Sequence, residues 1–266
     1  MKILVPVKQV AAIDEDCVLR EDMRDIDPDF LDYELNEWDD YSWEAALQLR
    51  ETHGDQVEIV PVTVGPDEAT DGLRRCLAKG GNRGVRVWDS ALEESDPIAV
   101  ARVIARLAKR EEADLILAGT LSSDHGFAAT AMCVAGFLDW PHVAVVSKLD
   151  VRPDAQHATV HRELEAGWEE EISVQCPAVL SIQLGINEPR YASLRGIKQA
   201  KAKPIEVLSH SDLGLESDEV GLSGSGSRVR RMFAPAKGQA EMIEGTTAEQ
   251  ASRIAQIVSE LSRENS

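Results

Sequence analysis

Apolar residues along the chain fall into two alternating rhythms. Short continuous runs, KILVPV (2–7), VEIVPVTV (57–64), VRVWD (85–89) and LILAG (115–119), are rich in β-branched residues, as strands covered on both faces are. Between them the apolar positions recur at helical spacing. In DPIAVARVIARLAKR (96–110), Val100, Val103, Ile104 and Leu107 share one face, Asp96 can cap the first turn and Pro97 suits its first position. GPDEATDGLRRCLAKGG (65–81) opens on Pro66 and two acids and stops at Gly80-Gly81. Repeated βαβ units of this kind predict an α/β fold, a mainly parallel twisted sheet of Rossmann-like type with helices on both faces.

Two stretches depart from that grammar. Residues 14–34, DEDCVLREDMRDIDPDFLDYE, are too acidic and irregular for another βα unit and predict a hairpin or surface arm. After Pro141, HVAVVSKLDV (142–151), HATVHREL (157–164) and EEEISVQC (169–176) alternate like antiparallel strands, with turns near RPDAQ and EAGWE. AVLSIQLG (178–185) then returns to the sheet. GLSGSGSRVRRMFAPAKGQA (221–240) has little to form a core and predicts an extended arm. It leads to a helix with a Thr246–Glu249 capping box and an apolar stripe of Ile254, Ile257, Val258 and Leu261. The expected organisation is one α/β nucleotide-binding domain over 1–220 and a C-terminal arm and helix over 221–266. Periodicity leaves open whether that helix folds back or packs on a partner.

Charge narrows the function. With 28 Lys+Arg against 47 Asp+Glu, the net charge is −19. Nucleic acid and anionic membranes need a basic face, so neither is an expected partner. No run of 18 apolar residues exists for membrane insertion. MKILVPV is strand-like from the start, with no basic leader before it, and a cytoplasmic protein is expected. Cys17, Cys76, Cys133 and Cys176 form no CxxC pair, so reduced, buried thiols are expected rather than zinc or a redox dithiol. His157 and His161 lie in an alternating, strand-like segment, and no metal site is predicted.

Ligands in open α/β sheets gather at the carboxyl ends of parallel strands, where helix N-termini present free N–H groups. Three segments qualify: Pro6 to Val10, Val64 to Asp67, and GTLSSDHGFAATAMCVAG (119–136). In the last, small residues open a helix at about Ala128 to Thr130, letting a phosphate approach the backbone, and Thr130 can add a hydroxyl. The competing reading is an ordinary helix capped by Ser123 or Asp124. Asp39 and Asp40 precede a helix and are expected to stabilise its positive end. There is no GxSxG, no HExxH and no pyrophosphatase-type Ser-Gly-Gly-x-Asp loop, so binding or electron transfer is favoured over bond-making. One further segment stands out against the acidic background. NEPRYASLRGIKQAK (187–201) follows a core strand yet carries Arg190, Arg195, Lys198 and Lys201 beside Tyr191 and Leu194. It reads either as a solvated cover for the sheet edge or as a docking element.

VHRELEAGWEEEISVQCPAVLS (160–181) resembles the signature region of the beta (small) subunit of electron-transfer flavoprotein, and NEPRYASLRGIKQAKAKPIEV (187–207) resembles the segment that follows it. MKILVPVKQ, LNEWDDYSWEAALQLRE, GFLDWP, SRVRRMF and KGQAEMIEG are similar too. The resemblance spans essentially the whole chain and points to the subunits of methylotrophic bacteria that take electrons from trimethylamine dehydrogenase. Ala166 departs from the Gly or Asp usual in the signature, a change expected to alter a turn rather than the function.

That resemblance implies a heterodimer in which the alpha (large) subunit carries FAD in a mobile domain and the beta subunit is its static base. It implies a carrier without catalytic residues of its own, passing electrons from a primary dehydrogenase to the respiratory chain. It also implies one structural AMP in the beta subunit. Residue by residue, the AMP site would comprise Pro6, Asn36, Glu37, Trp38, Asp39, Val64, Gly119, Thr120, Leu121, Ser122, Ser123, Asp124, His125, Gly126, Phe127, Ala128, Ala129 and Thr130. The family's commoner Asn-Gln-Thr-Gly is replaced here by Ala128-Ala129-Thr130-Ala131, so backbone donors would carry more of the binding. In electron-bifurcating relatives the same cavity takes NAD; nothing in this chain implies a second flavin. Trp38 matches an aromatic residue that approaches the flavin, and it also suits a helix-start staple. Residues 187–201 match the recognition loop for dehydrogenases, with Leu194 the apolar anchor, Tyr191 beside it, and Arg195, Lys198 and Lys201 steering encounter. The alternatives are a stand-alone α/β nucleotide-binding protein of the stress type, which would form a colourless homodimer binding ATP, and a nucleotide-cleaving enzyme, which would turn ATP over.

Overall fold

The computed structural model describes residues 1–12, 18–27, 29, 31–153, 157–233 and 242–264. Cys17, most of the RPDAQ turn and residues 234–241 of the expected arm lie outside the described residues. In chain order the elements are β1 (Lys2–Pro6), β2 (Gln9–Ala12), β3 (Asp32–Leu35), α1 (Glu37–His53), β4 (Glu58–Val64), α2 (Thr70–Lys79), β5 (Gly84–Val87), α3 (Pro97–Glu111) and β6 (Leu115–Gly119). There follow α4 (Thr130–Leu138), β7 (His142–Val151), β8 (His157–Glu163), β9 (Glu169–Gln175), β10 (Ala178–Ile182), α5 (Leu194–Ala200), β11 (Ile205–Leu208), α6 (Gly221–Gly224) and α7 (Thr247–Glu264).

The main sheet has the order β11-β5-β4-β1-β6-β10-β7-β8-β9, and β2 pairs antiparallel with β3 outside it. From β11 to β7 every pairing is parallel; β7–β8 and β8–β9 are antiparallel. The expected antiparallel block is therefore two hairpin pairings, while β7 itself joins β10 in parallel. Alternation reports the burial of a strand's faces and not the direction of the neighbour along each edge, so the parallel pairing does not show in it. β7 is irregular against both neighbours: against β8 between Val146 and Lys148, and against β10 between Val143 and Val146, where Val145 takes a positive φ of 54°.

The strands are buried on both faces, so their residues sort by parity into two cores. Ile3, Val5, Ile59, Leu115, Leu117 and Leu180 pack against Trp43 and Leu47 of α1 and Leu73 and Cys76 of α2. Leu4, Val60, Val62, Ile116 and Val179 meet Val103, Ile104 and Leu107 of α3 and Val134 and Leu138 of α4. Trp43 is fully buried and its Nε1–H donates to the Cys76 carbonyl (3.0 Å), so its polar atom is satisfied inside the core. The result is a helix-clad sheet whose parallel strands all end on one edge, the edge that holds the cavity described below.

The first compact unit runs Met1–Arg231 and the second Met232–Ser266. Residues 221–231, expected in the arm, thus belong with the core. Their anchor is Asp96: Oδ1 caps α3 through Ile98 N (2.9 Å) and Ala99 N (3.0 Å), while Oδ2 accepts from Gly226 N (2.9 Å), Ser227 N (2.8 Å) and Ser227 Oγ (3.0 Å). Burial disfavours that charge, yet these hydrogen bonds hold the carboxyl below the usual range. In the second unit, Thr246 N and Oγ1 both donate to Glu249 Oε2 (2.8 Å each), one half of the expected capping box. Ile254 and Val258 of α7 are more than half exposed.

Candidate functional site

A cavity of about 830 Å³ opens where β1, β4, β5 and β6 end. Of the eighteen nucleotide-site residues expected above, it brings together Pro6, Asn36, Asp39, Val64, Gly119, Thr120, Leu121, Ser122, His125, Phe127, Ala128, Ala129 and Thr130. Glu37, Trp38, Ser123, Asp124 and Gly126 are close in sequence but do not line it. Trp38 packs instead beside Gly119, and its buried Nε1 has no hydrogen-bond partner among the described residues.

The cavity's floor depends on close approach. Gly119 ends β6 where a methyl group would overlap Asp39 Oδ1 and stand 2.7 Å from Trp38 Cβ. Asp39 is buried and accepts Lys8 N at Oδ2 (2.8 Å) and Gly119 N at Oδ1 (3.2 Å), tying the ends of β1 and β6 to α1. Desolvation drives its pKa up to about 7, against the pull of Lys8, Asn36 and Gly119. This corrects the expectation that Asp39 chiefly serves the positive end of a helix: it is a buried tie between two strand ends. Asn36, also buried, clamps the β6–α4 loop by donating Nδ2–H to Leu121 O (2.9 Å) and accepting Ser123 N at Oδ1 (3.2 Å).

Ser123 and Asp124 do not cap α4. Asp124 Oδ1 takes Lys8 Nζ (2.7 Å) and its own neighbour His125 N (2.7 Å), while Lys8 Nζ also reaches Ser122 Oγ (3.3 Å) and His125 Nδ1 (3.2 Å). Burial opposes the Asp124 charge, but the His125 and Lys8 hydrogen bonds and the Lys8 charge hold its carboxyl well below the usual range. The loop then turns through Ala128, at a positive φ of 51°, and α4 begins at Thr130 with no side-chain cap. A left-handed alanine costs on the order of 1 kcal/mol. What it leaves is an open helix N-terminus at the cavity wall, with free N–H groups and the positive end of the helix dipole. The neighbouring N-terminus of α3 is already satisfied by Asp96. Of these two helices, α4 is the one whose terminus is left open to an anion entering the cavity.

Sequence reasoning missed Lys8 and the far wall, Trp88, Asp96, Val100 and Ile104. Lys8 carried a signal, being the first cation after a strand's carboxyl end. Val100 and Ile104 carried none, because they share the core pattern of α3, and Asp96 carried only the signal of a helix cap.

The second candidate surface is built on α1, α2 and α5. Tyr191 (98 % exposed) and Leu194 (88 %) project into solvent, with Ile197 of α5 at 46 %. Arg195, Lys198 and Lys201 form no ion pair among the described residues. Leu194 begins a short helix, α5, capped by Ser193 Oγ accepting Gly196 N (3.0 Å), so the expected loop is helical over its second half. A Cβ on Gly196 would overlap the Ala78 carbonyl oxygen, so no side chain fits there.

Residues 29–213 match the electron transfer flavoprotein domain. The chain is 55% identical over 260 residues to the electron transfer flavoprotein subunit beta of Methylophilus methylotrophus, covering 98% of each chain. The chain belongs to the electron transfer flavoprotein family, on its beta-subunit side. The beta subunit of Bacillus subtilis is 34% identical, with 97% of each chain covered, and the caffeyl-CoA reductase-Etf complex subunit CarD of Acetobacterium woodii is 35% identical over 93% of each. For a beta subunit of this family, the mainly parallel helix-clad sheet is the expected Rossmann-like scaffold. Among the described residues no helix is long and apolar enough to cross a membrane.

Proposed function

We propose that this chain is the static base of a heterodimeric electron transfer flavoprotein, a cytoplasmic carrier that passes electrons from a primary dehydrogenase of the trimethylamine dehydrogenase type towards the respiratory chain. The observation that carries its ligand-binding half is the uncapped N-terminus of α4 at the cavity wall. The residues fit AMP. About 830 Å³ lies within the range of small-molecule sites, Val64, Trp88, Val100 and Ile104 supply apolar wall, and Ala128 and Ala129 leave the backbone approachable. The N–H groups of the first turn of α4 and the Thr130 hydroxyl would receive the phosphate. Lys8 contributes positive potential while Asp124 and Ser122 fix its position. Pro6, Asn36 and Asp39 hold the β1 and β6 ends that frame the pocket.

FAD, carried mainly by the alpha subunit, supplies the redox chemistry when bound. This chain's part is to present a fixed frame to its partner, through the main unit and the second unit beyond Arg231, and to offer residues 187–201 to the dehydrogenase. No residue set for bond-making is assigned to it. Co-expression with a flavin-bearing alpha subunit tests the reading. A yellow 1:1 complex reduced by the dehydrogenase is expected; a colourless homodimer that binds ATP would overturn it.

A further inference from the structure

The docking segment is held to α1 chiefly by an arginine that engages two carboxylates. Arg190 Nε–H donates to Glu44 Oε2 (2.9 Å) and Nη2–H to Glu44 Oε1 (2.8 Å), a two-pronged contact with a carboxylate whose side chain is only 4% exposed. The Arg190 backbone N–H also donates to Glu44 Oε2 (3.2 Å). Two turns further along α1, Glu51 accepts from Nη2 (3.0 Å) and from Nη1. The hydrogen bonds it donates to Glu51 and Glu44 raise the guanidinium pKa further, and Arg190 in turn lowers that of Glu51. Just before it, Asn187 Nδ2–H donates to Tyr41 O of α1 (3.0 Å).

The other end of the segment is fastened to α2. Arg74 Nη1–H donates to Ala200 O and Lys203 O (2.6 Å each), and Lys203 Nζ donates to Leu77 O (2.8 Å). Between these two fastenings stand Tyr191 and Leu194, the most exposed large apolar side chains of the segment. An exposed apolar residue on a free loop would have to be ordered on binding; here the frame is already ordered.

We propose that Arg190 is the positioning residue of the docking surface: by fixing its backbone N–H to Glu44 and its guanidinium to Glu44 and Glu51 it presets Tyr191 and Leu194 for capture of the donor. The inference rests on the proposal that residues 187–201 dock the dehydrogenase, and it assigns the segment's apolar and basic residues separate jobs. Arg190, though basic, is spent internally and does not steer; Arg195, Lys198 and Lys201 are free to do so. Preorganisation of this kind acts on capture, since it removes the ordering of interface side chains from the binding step.

The test uses the assembled heterodimer with Arg190→Lys, which keeps the charge but loses the planar fork, with Glu51→Gln as a milder variant of a half-exposed partner and Leu194→Ala in parallel. Stopped-flow reduction of the flavin by the dehydrogenase is read at limiting and at saturating donor, with dithionite reduction and amide hydrogen exchange of 187–193 alongside. Freeing two anchors lowers the limiting rate by roughly tenfold for Arg190→Lys, and by less for Glu51→Gln. The saturating rate and the dithionite rate stay at wild-type values while exchange quickens. An unchanged limiting rate with quickened exchange overturns the positioning role; docking itself then survives if Leu194→Ala is slow and falls if it is not. A loss shared by saturating donor and dithionite also overturns it, since that is damage to the flavin site.

Discussion

Replacing Gly119 by alanine probes the contact on which the cavity floor depends. The added methyl would overlap Asp39 Oδ1, with Trp38 Cβ at 2.7 Å and the Trp38 carbonyl carbon at 3.0 Å. None of these is the loose end of a flexible side chain, since Asp39 is pinned by Lys8 N and Gly119 N and both residues belong to the first turn of α1. Either α1 shifts, at an overpacking cost of about 1–3 kcal/mol, or Asp39 swings away. The swing leaves Lys8 N and Gly119 N short of an acceptor, at about 1–3 kcal/mol for a buried group. Either route gives about 1–3 kcal/mol lost in stability, with bound nucleotide lost in step because the floor moves. Urea unfolding of the isolated chain gives the first quantity, and nucleotide released from the purified heterodimer gives the second. A Gly119→Ala protein with a wild-type urea midpoint and full nucleotide content would refute the reasoning.

Other outcomes follow from the same geometry. Asp39 has a folded pKa near 7 against an unfolded value near 4, so the folded state binds the extra proton. Its contribution is present at low pH and lost as pH rises through 7, a fall of roughly 4 kcal/mol between pH 4 and 7. Urea titrations should show that slope in the wild type and a flatter one in Asp39→Asn; equal slopes would remove Asp39 as the cause. Leu194→Ala should leave stability unchanged, the side chain being 88% exposed. It should slow donor-limited flavin reduction roughly thirtyfold, for an anchor worth on the order of 2 kcal/mol, and a wild-type rate at limiting concentration would make the segment a mere cover. Ending the chain after Arg231 should keep the first unit folded by circular dichroism yet weaken assembly with the alpha subunit; undiminished affinity would give α7 another task.

The sheet was legible because its strands are continuous apolar runs and its helices carry Pro97, Asp96 and Gly80 where starts and stops need them. The parallel partner of β7 was not, since one strand pairs differently along its two edges and alternation reports only burial. The strand-end rule located the cavity, whereas the roles inside it required coordinates. Asp39 in a helical first turn has the same local pattern whether it serves the dipole or ties two strand ends. Asp124 reads as a cap until Lys8, 116 residues away in sequence, takes it up. For the same reason the basic stretch at 187–201 did not reveal that Arg190 is consumed by Glu44 and Glu51. The arm's boundary moved to Arg231 because one residue, Asp96, holds Ser225 through its backbone N–H and Gly226 and Ser227 through its carboxylate, contacts that composition does not encode.

The central claim is that the open N-terminus of α4 receives the phosphate of a structural nucleotide in this subunit. Its most direct test is the nucleotide released by acid from the purified 1:1 heterodimer, identified by chromatography and mass. The account predicts one AMP beside one FAD per heterodimer. FAD alone, with no adenylate in stoichiometric amount, would contradict it.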